Sequence, residues 1–198
     1  EHHPDLYART AHILISSKDY LIVRLTGVCA GDVTACATAG ALDLRRKRWD
    51  GKLLSAAEVD AGRVHALYHP HQQVVAVPPW AAASCGYRAG TAVFAGIGDA
   101  GATTLASGIR EPGQYNINLG TSGWVATVSD DILLTEAGVF NLVAASKGCY
   151  INVVPFLNAG NVHRWIAGVL GRTAEAADYE AISTLLDASV PGSHGVLC

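Results

Sequence analysis

One aspartate of this sequence lies where a carboxylate could act as a base. Asp99 follows the stretch Gly96-Ile97-Gly98, which comes after the apolar run 91–95 and before a run of small residues. Glycines let a substrate approach the backbone closely, and the end of a strand holds a carboxylate rigidly. A base that takes a proton from a hydroxyl group suits phosphoryl transfer to an alcohol. Asp99 also suits the N-cap of a helix over 100–107, and the two interpretations are compatible.

The glycines around Asp99 also match the dinucleotide-binding fingerprint, G-x-G-x-x-G, through Gly101. Three observations argue against that interpretation. The helical run that follows is shorter than the ~10–12 residues of a crossover connection. No acid stands about 20 residues further on, since Glu111 is followed by Asp130. Asp99 itself would repel a pyrophosphate. A nicotinamide-dependent dehydrogenase therefore stays as a minor alternative.

A second glycine-rich turn, Gly120-Thr121-Ser122-Gly123, could hold a phosphate. Its backbone N–H groups and two hydroxyls would form a nest for an anion. The alternative is an ordinary hairpin turn, because 115–119 and 124–128 alternate in polarity as strands do. A carboxylate base on one turn and a phosphate cradle on another is the combination that a sugar-hydroxyl kinase needs.

The elements that must position these turns change in character along the chain. Hydrophobic periodicity predicts helices over 5–15, 18–25 with an end at Gly27, 50–60 with Asp50 as a cap, 80–87, 158–170 and 174–188. It predicts strands over 74–77, 91–95 (a buried strand), 115–119, 124–128, 139–145 and 149–156, the last four as two hairpins. An α/β pattern therefore gives way to hairpins near residue 108, and we place the domains at 1–108 and 109–198.

Composition excludes several classes of protein. The 198 residues are 50% hydrophobic and 16% charged, with a net charge of -3, which favours a packed core and gives no reason to expect a nucleic-acid partner. No apolar run approaches the ~18 residues of a membrane span. The five cysteines form no C-x-x-C pair, which suggests reduced thiols in the cytoplasm. The sequence lacks Met and stops within an apolar run, so we expect a fragment.

Several segments carry short motifs in a fixed order, namely 18–27 (KDYLIVRLTG), 32–49 (DVTA to LD and W), 89–99 (AGTAVFAGIGD), 111–123 (EPGQYNINLGTSG) and 158–165 (NAGNVHRW). Together they resemble the FGGY family of carbohydrate kinases, which includes xylulokinase, gluconokinase and glycerol kinase. The resemblance covers nearly the whole chain. It implies an α/β, ribonuclease H-like (actin-like ATPase) fold, with this chain holding the end of the first domain and the start of the second.

The same resemblance implies a role for each site residue. The activity would be ATP- and Mg²⁺-dependent phosphorylation of a small sugar or polyol, with Asp99 as the general base and Ala100 beside it in the substrate site. Gly120, Thr121, Ser122 and Gly123 would approach the nucleotide phosphates, and Gly160 and Arg164 would contact the nucleotide at a helix N-terminus.

This sequence also departs from the family pattern. A polar residue often follows the family's catalytic aspartate, whereas Ala100 stands here, which leaves the sugar open. The family's first phosphate loop, DxGTxxxR, is absent, so we expect this chain alone to be inactive. These two departures motivate an alternative, a kinase-like protein that senses a sugar without catalysis. The resemblance leaves a homodimer open, because paired subunits are common in similar kinases.

Two further clusters are not assigned a function. His65, His69 and His71 could suggest a metal site, but their loop has no nearby carboxylate or cysteine pair, so we predict no metal ligands. The run 45–48 is basic, and we interpret it as a solvated turn before Trp49 rather than a nucleic-acid patch.

Overall fold

Helices joined by short strands make up the described residues, 3–134, 138–170 and 179–196, of this computed structural model. The helices are α1 (Pro4–Arg9), α2 (Ser17–Thr26), α3 (Val33–Cys36), α4 (Gly51–Ala56), α5 (Pro79–Cys85), α6 (Asp99–Ala106), α7 (Gly160–Val169) and α8 (Tyr179–Asp187). The strands are β1 (Ala30–Asp32), β2 (Leu42–Asp43), β3 (Arg48–Trp49), β4 (Ala66–Tyr68), β5 (Gln73–Ala76), β6 (Ala92–Phe94), β7 (Tyr115–Leu119), β8 (Gly123–Ser129), β9 (Phe140–Val143) and β10 (Tyr150–Phe156). Within these ranges no helix is long and apolar enough to cross a lipid bilayer.

The strands pair in small sheets. β1 and β4 are parallel, with Ala30 opposite Ala66, whereas β2 with β3 and β5 with β6 are antiparallel. The largest sheet has the order β7-β8-β10-β9, and its β9 and β10 are antiparallel with Val143 opposite Tyr150. The two hairpins predicted from alternation are therefore confirmed, because their strands are neighbours in this sheet.

The chain divides into two compact units. The first comprises residues 1–116 and 125–154, and the second comprises residues 117–124 and 155–198. The predicted boundary near residue 108 concerns the domains of the resembling family rather than these units, and it stays a prediction.

The core of the first unit forms around α3. Val33, Leu42 and Val143 are buried together, and the Thr34 hydroxyl donates to the carbonyl of Val143 at 2.7 Å. Burying each Val or Leu side chain stabilises the fold by roughly 1.5–3 kcal/mol. The hydrogen bond and the apolar contacts together anchor β9 to α3.

Helix α2 begins and ends at the residues that its sequence indicates. The Ser16 hydroxyl accepts from the N–H of Lys18, and the Asp19 carboxylate accepts from the N–H of Ser16, each at 3.1 Å. This capping box occupies donors that the first turn of a helix leaves free. Gly27 ends the helix with φ +75°, a left-handed conformation that favours glycine. The capping box also turns the Asp19 side chain into the protein interior, where it is fully buried.

Several helices differ from their predicted bounds or lie partly outside the description. The helix predicted over 50–60 ends at Ala56, and the helix predicted over 80–87 spans Pro79–Cys85. The helix predicted over 5–15 ends at Arg9, because the Arg63 guanidinium binds the carbonyls of Tyr7 and Thr10 and Ile13 pairs with Val64. The helix predicted over 158–170 begins at Gly160. Residues 174–178 of the helix predicted over 174–188 lie outside the described residues, and α8 covers 179–187.

Two other local predictions have opposite outcomes. Asp50 caps α4 as predicted, since its carboxylate accepts from Lys52 N at 2.8 Å and Leu53 N at 3.2 Å. The strand itself is confirmed, but its predicted burial is wrong for β6. Within the described part of the chain, β6 pairs with β5 alone, and the side chains of Ala92 and Phe94 are exposed.

Candidate active site

Asp99 lies at the start of α6, directly after the turn that follows β6. Gly98 is the N-cap, so Asp99 is the first residue of the helix and the N-cap interpretation of Asp99 is wrong by one position. Its Oδ1 accepts from the N–H of Ala100 at 2.8 Å, and its side chain is exposed. No ion pair involves Asp99 within the described residues. The carboxylate is thus free to meet a hydroxyl from solution.

The turn before Asp99 packs closely on α3. A Cβ added at Gly98 would lie 3.1 Å from Cβ and 3.3 Å from Cα of Ala35. A Cβ added at Gly101 would lie 3.0 Å from Cγ2 of Thr34 and 2.5 Å from Cδ1 of Ile97. The glycines therefore let the strand end and the first turn of α6 rest directly on α3, which fixes the backbone that carries Asp99.

A cavity of about 410 Å³ opens at Asp99 within the first unit. Its lining is rich in hydroxyl groups and small side chains, with one ammonium group: Ser16, Ser17, Lys18, Thr34, Ala35, Thr38, Ile97, Gly98, Asp99, Ala100, Gly101 and Leu142. A volume of this size falls within the range of small-molecule sites. Ala100, predicted beside the substrate, therefore shares this cavity with Asp99.

The Lys18 ammonium lies beside two carboxylates in this region. Its Nζ is 2.8 Å from Asp19 Oδ1 and 2.9 Å from Asp32 Oδ1, and both carboxylate side chains are fully buried. Burial alone would lower the pKa of Lys18, but the interactions with Asp19 and Asp32 outweigh it and raise the pKa above its usual value. The lysine is therefore charged at neutral pH.

His65 adds a third group to Asp19 and Cys36. Its Nε2 lies 3.3 Å from Asp19 Oδ2 and 4.0 Å from Cys36 Sγ, and all three residues are buried. Burial raises the pKa of the Cys36 thiol to about 12, and the carboxylates of Asp19 and Asp32 add to the rise. Although these residue types can bind metals, the Asp19 carboxylate already accepts from Ser16 and Lys18. The cluster is therefore a hydrogen-bonded core of the first unit.

The structure separates His65 from the other two histidines, and it places an ion pair on the basic run. His69 and His71 stack with ring centroids 5.9 Å apart, while His65 faces Asp19 and Cys36 instead. In the basic run, Arg45 pairs with Asp131 at 2.7 Å, and both side chains are more than half exposed.

The second glycine-rich turn joins β7 to β8 in the second unit. The N–H of Gly120 donates to the carbonyl of Ser122 at 2.8 Å, which closes the turn, and Thr121 and Ser122 are exposed. Gly123 is buried, and a Cβ added there would lie 2.7 Å from the carbonyl oxygen of Asn118. The turn therefore presents two hydroxyls to solvent from a backbone that has no room for a side chain at Gly123.

The structure brings this turn together with the start of α7, also in the second unit. The N–H groups of Ala159 and Gly160 donate to the carbonyls of Thr121 and Gly120 at 3.0 and 2.8 Å. A Cβ added at Gly160 would lie 2.7 Å from the Gly120 oxygen. Gly160 therefore supports the turn through its N–H, and Arg164 lies exposed four residues further along the same helix.

The sequence did not indicate a role in the site for Lys18, Asp32 or His65. Lys18 and Asp32 did appear in the motifs, and the pattern Asp32-Val33-Thr34 is typical of a helix N-cap. The opposite charges of Lys18 and Asp32 were the available signal, but nothing in the local sequence indicated that the two residues meet.

Comparison with known proteins identifies the family. The profile of the N-terminal domain of the FGGY family of carbohydrate kinases matches residues 1–106. This chain belongs to the FGGY family. The match covers more than half of the 198 residues, and one solved structure described below aligns with the whole chain.

Two curated bacterial kinases resemble this chain along much of its length. The xylulose kinase of Escherichia coli K12 is 29% identical over 171 residues, which are 86% of this chain and 35% of that kinase. The autoinducer-2 kinase of Klebsiella pneumoniae is 34% identical over 128 residues, which are 65% of this chain and 24% of that kinase. The chain thus spans about a quarter to a third of the length of these curated relatives.

Solved structures confirm the mixed α/β, actin-like fold of the FGGY kinases. The xylulose kinase of Rhodospirillum rubrum has a TM-score of 0.88 at 25% identity, covering 100% of this chain and 40% of that one. The gluconate kinase of Lactobacillus acidophilus has a TM-score of 0.79 at 25% identity, covering 89% of this chain and 36% of that one.

The strand pairing argues against the dehydrogenase alternative. Strand β6, which precedes Asp99, is antiparallel to β5, whereas the strands of a dinucleotide-binding unit are parallel.

Proposed function

We propose that this chain is the part of an ATP-dependent carbohydrate kinase that carries the general base, Asp99. The observation that supports this most directly is the exposed Asp99 carboxylate in a cavity lined by hydroxyl groups. Such a lining suits a polyhydroxylated substrate, because hydroxyls both donate to and accept from a sugar. Ala100 adds a small apolar contact beside the base.

In the proposed reaction, Asp99 orients a sugar hydroxyl and accepts its proton as the oxygen attacks the γ-phosphorus of ATP. The bond from that phosphorus to the β,γ-bridging oxygen breaks, so the products are the sugar phosphate and ADP. Catalysis of this kind is mainly positioning and electrostatic stabilisation. The rigid contact of the Gly98 turn with α3 supports the positioning of the base.

For the nucleotide, we propose the turn from Gly120 to Gly123 together with Gly160 and Arg164. The exposed hydroxyls of Thr121 and Ser122 and the Arg164 guanidinium are groups that fit phosphate oxygens. The N–H of Gly160 is already donated to Gly120, so its proposed part is to hold the turn in place. Mg²⁺, when bound to ATP, would offset phosphate charge, and we assign no residue of this chain to it.

Xylulose is the first substrate to test, because relatives from Escherichia coli and Rhodospirillum rubrum are xylulose kinases. Gluconate and autoinducer-2 follow, since other relatives are kinases named for them. The sugar-sensing alternative rests on Ala100, which stands where a polar residue often follows the family's catalytic aspartate. The cytoplasmic location and a homodimer remain predictions.

The test measures ADP release by the complete parent protein with MgATP and these substrates, beside the variant Asp99→Asn. We expect one substrate to give ADP release that Asp99→Asn lowers by ~10²–10⁴-fold, the usual effect of losing a positioned base. The control is Glu111→Gln, an exposed carboxylate outside the cavity, which should leave the rate unchanged. Near-normal turnover by Asp99→Asn would refute the role of the base, and sugar binding without ADP release would favour a sensor.

A further inference from the structure

The Lys18 side chain reaches the end of the strand that leads to Asp99. Its Nζ donates to the carbonyl of Ala95 at 2.9 Å, a contact between residues 77 positions apart in the sequence. Ala95 is the residue directly after β6 and is fully buried. The lysine therefore binds the backbone at the point where the turn toward Asp99 begins.

The alkyl stem of Lys18 also contacts this turn. A Cβ added at Gly96 would lie 3.2 Å from Lys18 Cδ, so the stem passes close over the glycine. Gly96 has φ +68°, a left-handed conformation that changes the direction of the chain. One side chain thus holds both the carbonyl before the turn and the glycine that makes the turn.

Asp32 links Lys18 to the other support of the turn, α3. Its Oδ1 pairs with Lys18, while its Oδ2 accepts from Thr34 N at 2.9 Å and Ala35 N at 3.0 Å and so caps α3. Ala35 is the residue on which Gly98 rests. The lysine, the capped helix and the glycine turn therefore form one closed set of contacts around the backbone of Asp99.

Lys18 lines the cavity, but its ammonium group is already engaged by the protein: it donates hydrogen bonds to Asp19 and Ala95 and forms an ion pair with Asp32. A lysine ammonium has three N–H donors. Three oxygens, from Asp19, Asp32 and Ala95, lie within 2.9 Å of its Nζ. Its charge is balanced by the buried carboxylates of Asp19 and Asp32, neither of which lines the cavity. These contacts favour a role that acts through the turn rather than on the sugar.

We propose that Lys18 is a positioning residue that sets the direction of the Asp99 carboxylate by tethering Ala95 and Gly96. The inference rests on the proposed function of Asp99 as the base. Removing the tether frees the strand end, and a misplacement of about 1 Å in an active site can cost about 10²-fold in rate.

The experiment uses the complete kinase and two variants of Lys18. Lys18→Met removes the tether but leaves two buried carboxylates without their cation, which endangers folding. Lys18→Met with Asp32→Asn keeps the net charge, and the Asn oxygen can still cap α3. Thermal unfolding shows which variants are folded. In each folded variant we expect kcat to fall by ~10–10²-fold with little change in the KM for sugar. Lys52→Met, an exposed lysine of α4, is the matched control and should keep the normal kcat.

A double-mutant cycle with Asp99→Asn separates positioning from general damage. If Lys18 acts through Asp99, its substitution should lower the residual rate of Asp99→Asn by less than about 3-fold. A full additional loss in that background would overturn the inference, as would a normal kcat for Lys18→Met with Asp32→Asn. If Asp99→Asn itself is fully active, the base assignment fails and this inference fails with it. If Asp99→Asn loses activity while the Lys18 variants keep the normal kcat, the base assignment stands and the positioning role of Lys18 fails.

Discussion

The substitution Asp32→Ala measures how strongly the contacts beneath the site stabilise the first unit. Asp32 is fully buried, and its two oxygens make two helix-cap hydrogen bonds and one ion pair with Lys18. Losing an N-cap costs about 1–2 kcal/mol. Removing one partner of a buried ion pair costs about 3–5 kcal/mol.

The two losses do not simply add, because they concern one side chain and a shared set of partners. Lys18 is 24% exposed and keeps Asp19, so the ion-pair loss falls at the low end of its range. We therefore expect Asp32→Ala to lower the free energy of unfolding by about 3–4 kcal/mol. Asp32→Asn keeps an oxygen for the cap, and we expect a loss of about 2–3 kcal/mol.

Asp50→Ala is the matched control, since Asp50 caps α4 through two N–H groups in the same way. Asp50 is only partly buried and has no ion pair within the described residues, so its loss should be about 1 kcal/mol. Urea unfolding of the complete protein, followed by tryptophan fluorescence, compares the variants. Equal destabilisation by Asp32→Ala and Asp50→Ala would refute the contribution of burial and of Lys18.

Two more predictions concern pH and the second glycine-rich turn. Burial would raise the pKa of Asp19, but hydrogen bonds with His65 and the neighbouring ammonium outweigh it and hold the pKa below its usual value. The stability contributed by Asp19 is therefore present above its unfolded-state pKa and is lost as the pH falls through its folded-state pKa. Asp19→Asn should reduce the loss of unfolding free energy on acidification, measured by urea unfolding at several pH values. The same acid dependence in Asp19→Asn and in the unsubstituted protein would contradict this. Gly160→Ala should raise the KM for ATP by ~10-fold, because the new Cβ would meet the Gly120 oxygen at 2.7 Å and displace the turn, at a cost of about 1–3 kcal/mol. Gly168→Ala on the same helix meets no atom within 4 Å and should leave the KM unchanged, and an equal effect of the two variants would disprove the role of the turn.

Much of the local structure could be read from neighbouring residues. Ser16, Asp19 and Gly27 mark the two ends of α2, and the alternation in 115–128 marks a hairpin. Asp99 could be named as a candidate base because it lies in a glycine-rich turn between an apolar run and a helical run. These features depend on capping, turn conformation and polarity period, which act between residues a few positions apart.

Other features depend on residues far apart in the sequence. The helix predicted over 5–15 ends early because Arg63 binds the carbonyls of Tyr7 and Thr10. Strand β6 is exposed because, among the residues that the structure describes, it has β5 as its one partner strand. Neither neighbour is specified by the pattern of the segment itself. Tertiary contacts therefore override a local preference that is worth only a fraction of a kcal/mol per residue.

The sequence by itself determined the family, the base candidate and the two glycine-rich turns, because each is a local motif and their order along the chain is distinctive. Only the tertiary structure decided that Lys18, Asp32 and Ala95 meet beneath Asp99. Burying two carboxylates is favourable only when a cation and N–H donors converge on them, and that convergence needs α2, α3 and β6 to pack together. The residues of the candidate site could therefore be named from local motifs, whereas the contacts that support the turn before Asp99 arise from packing.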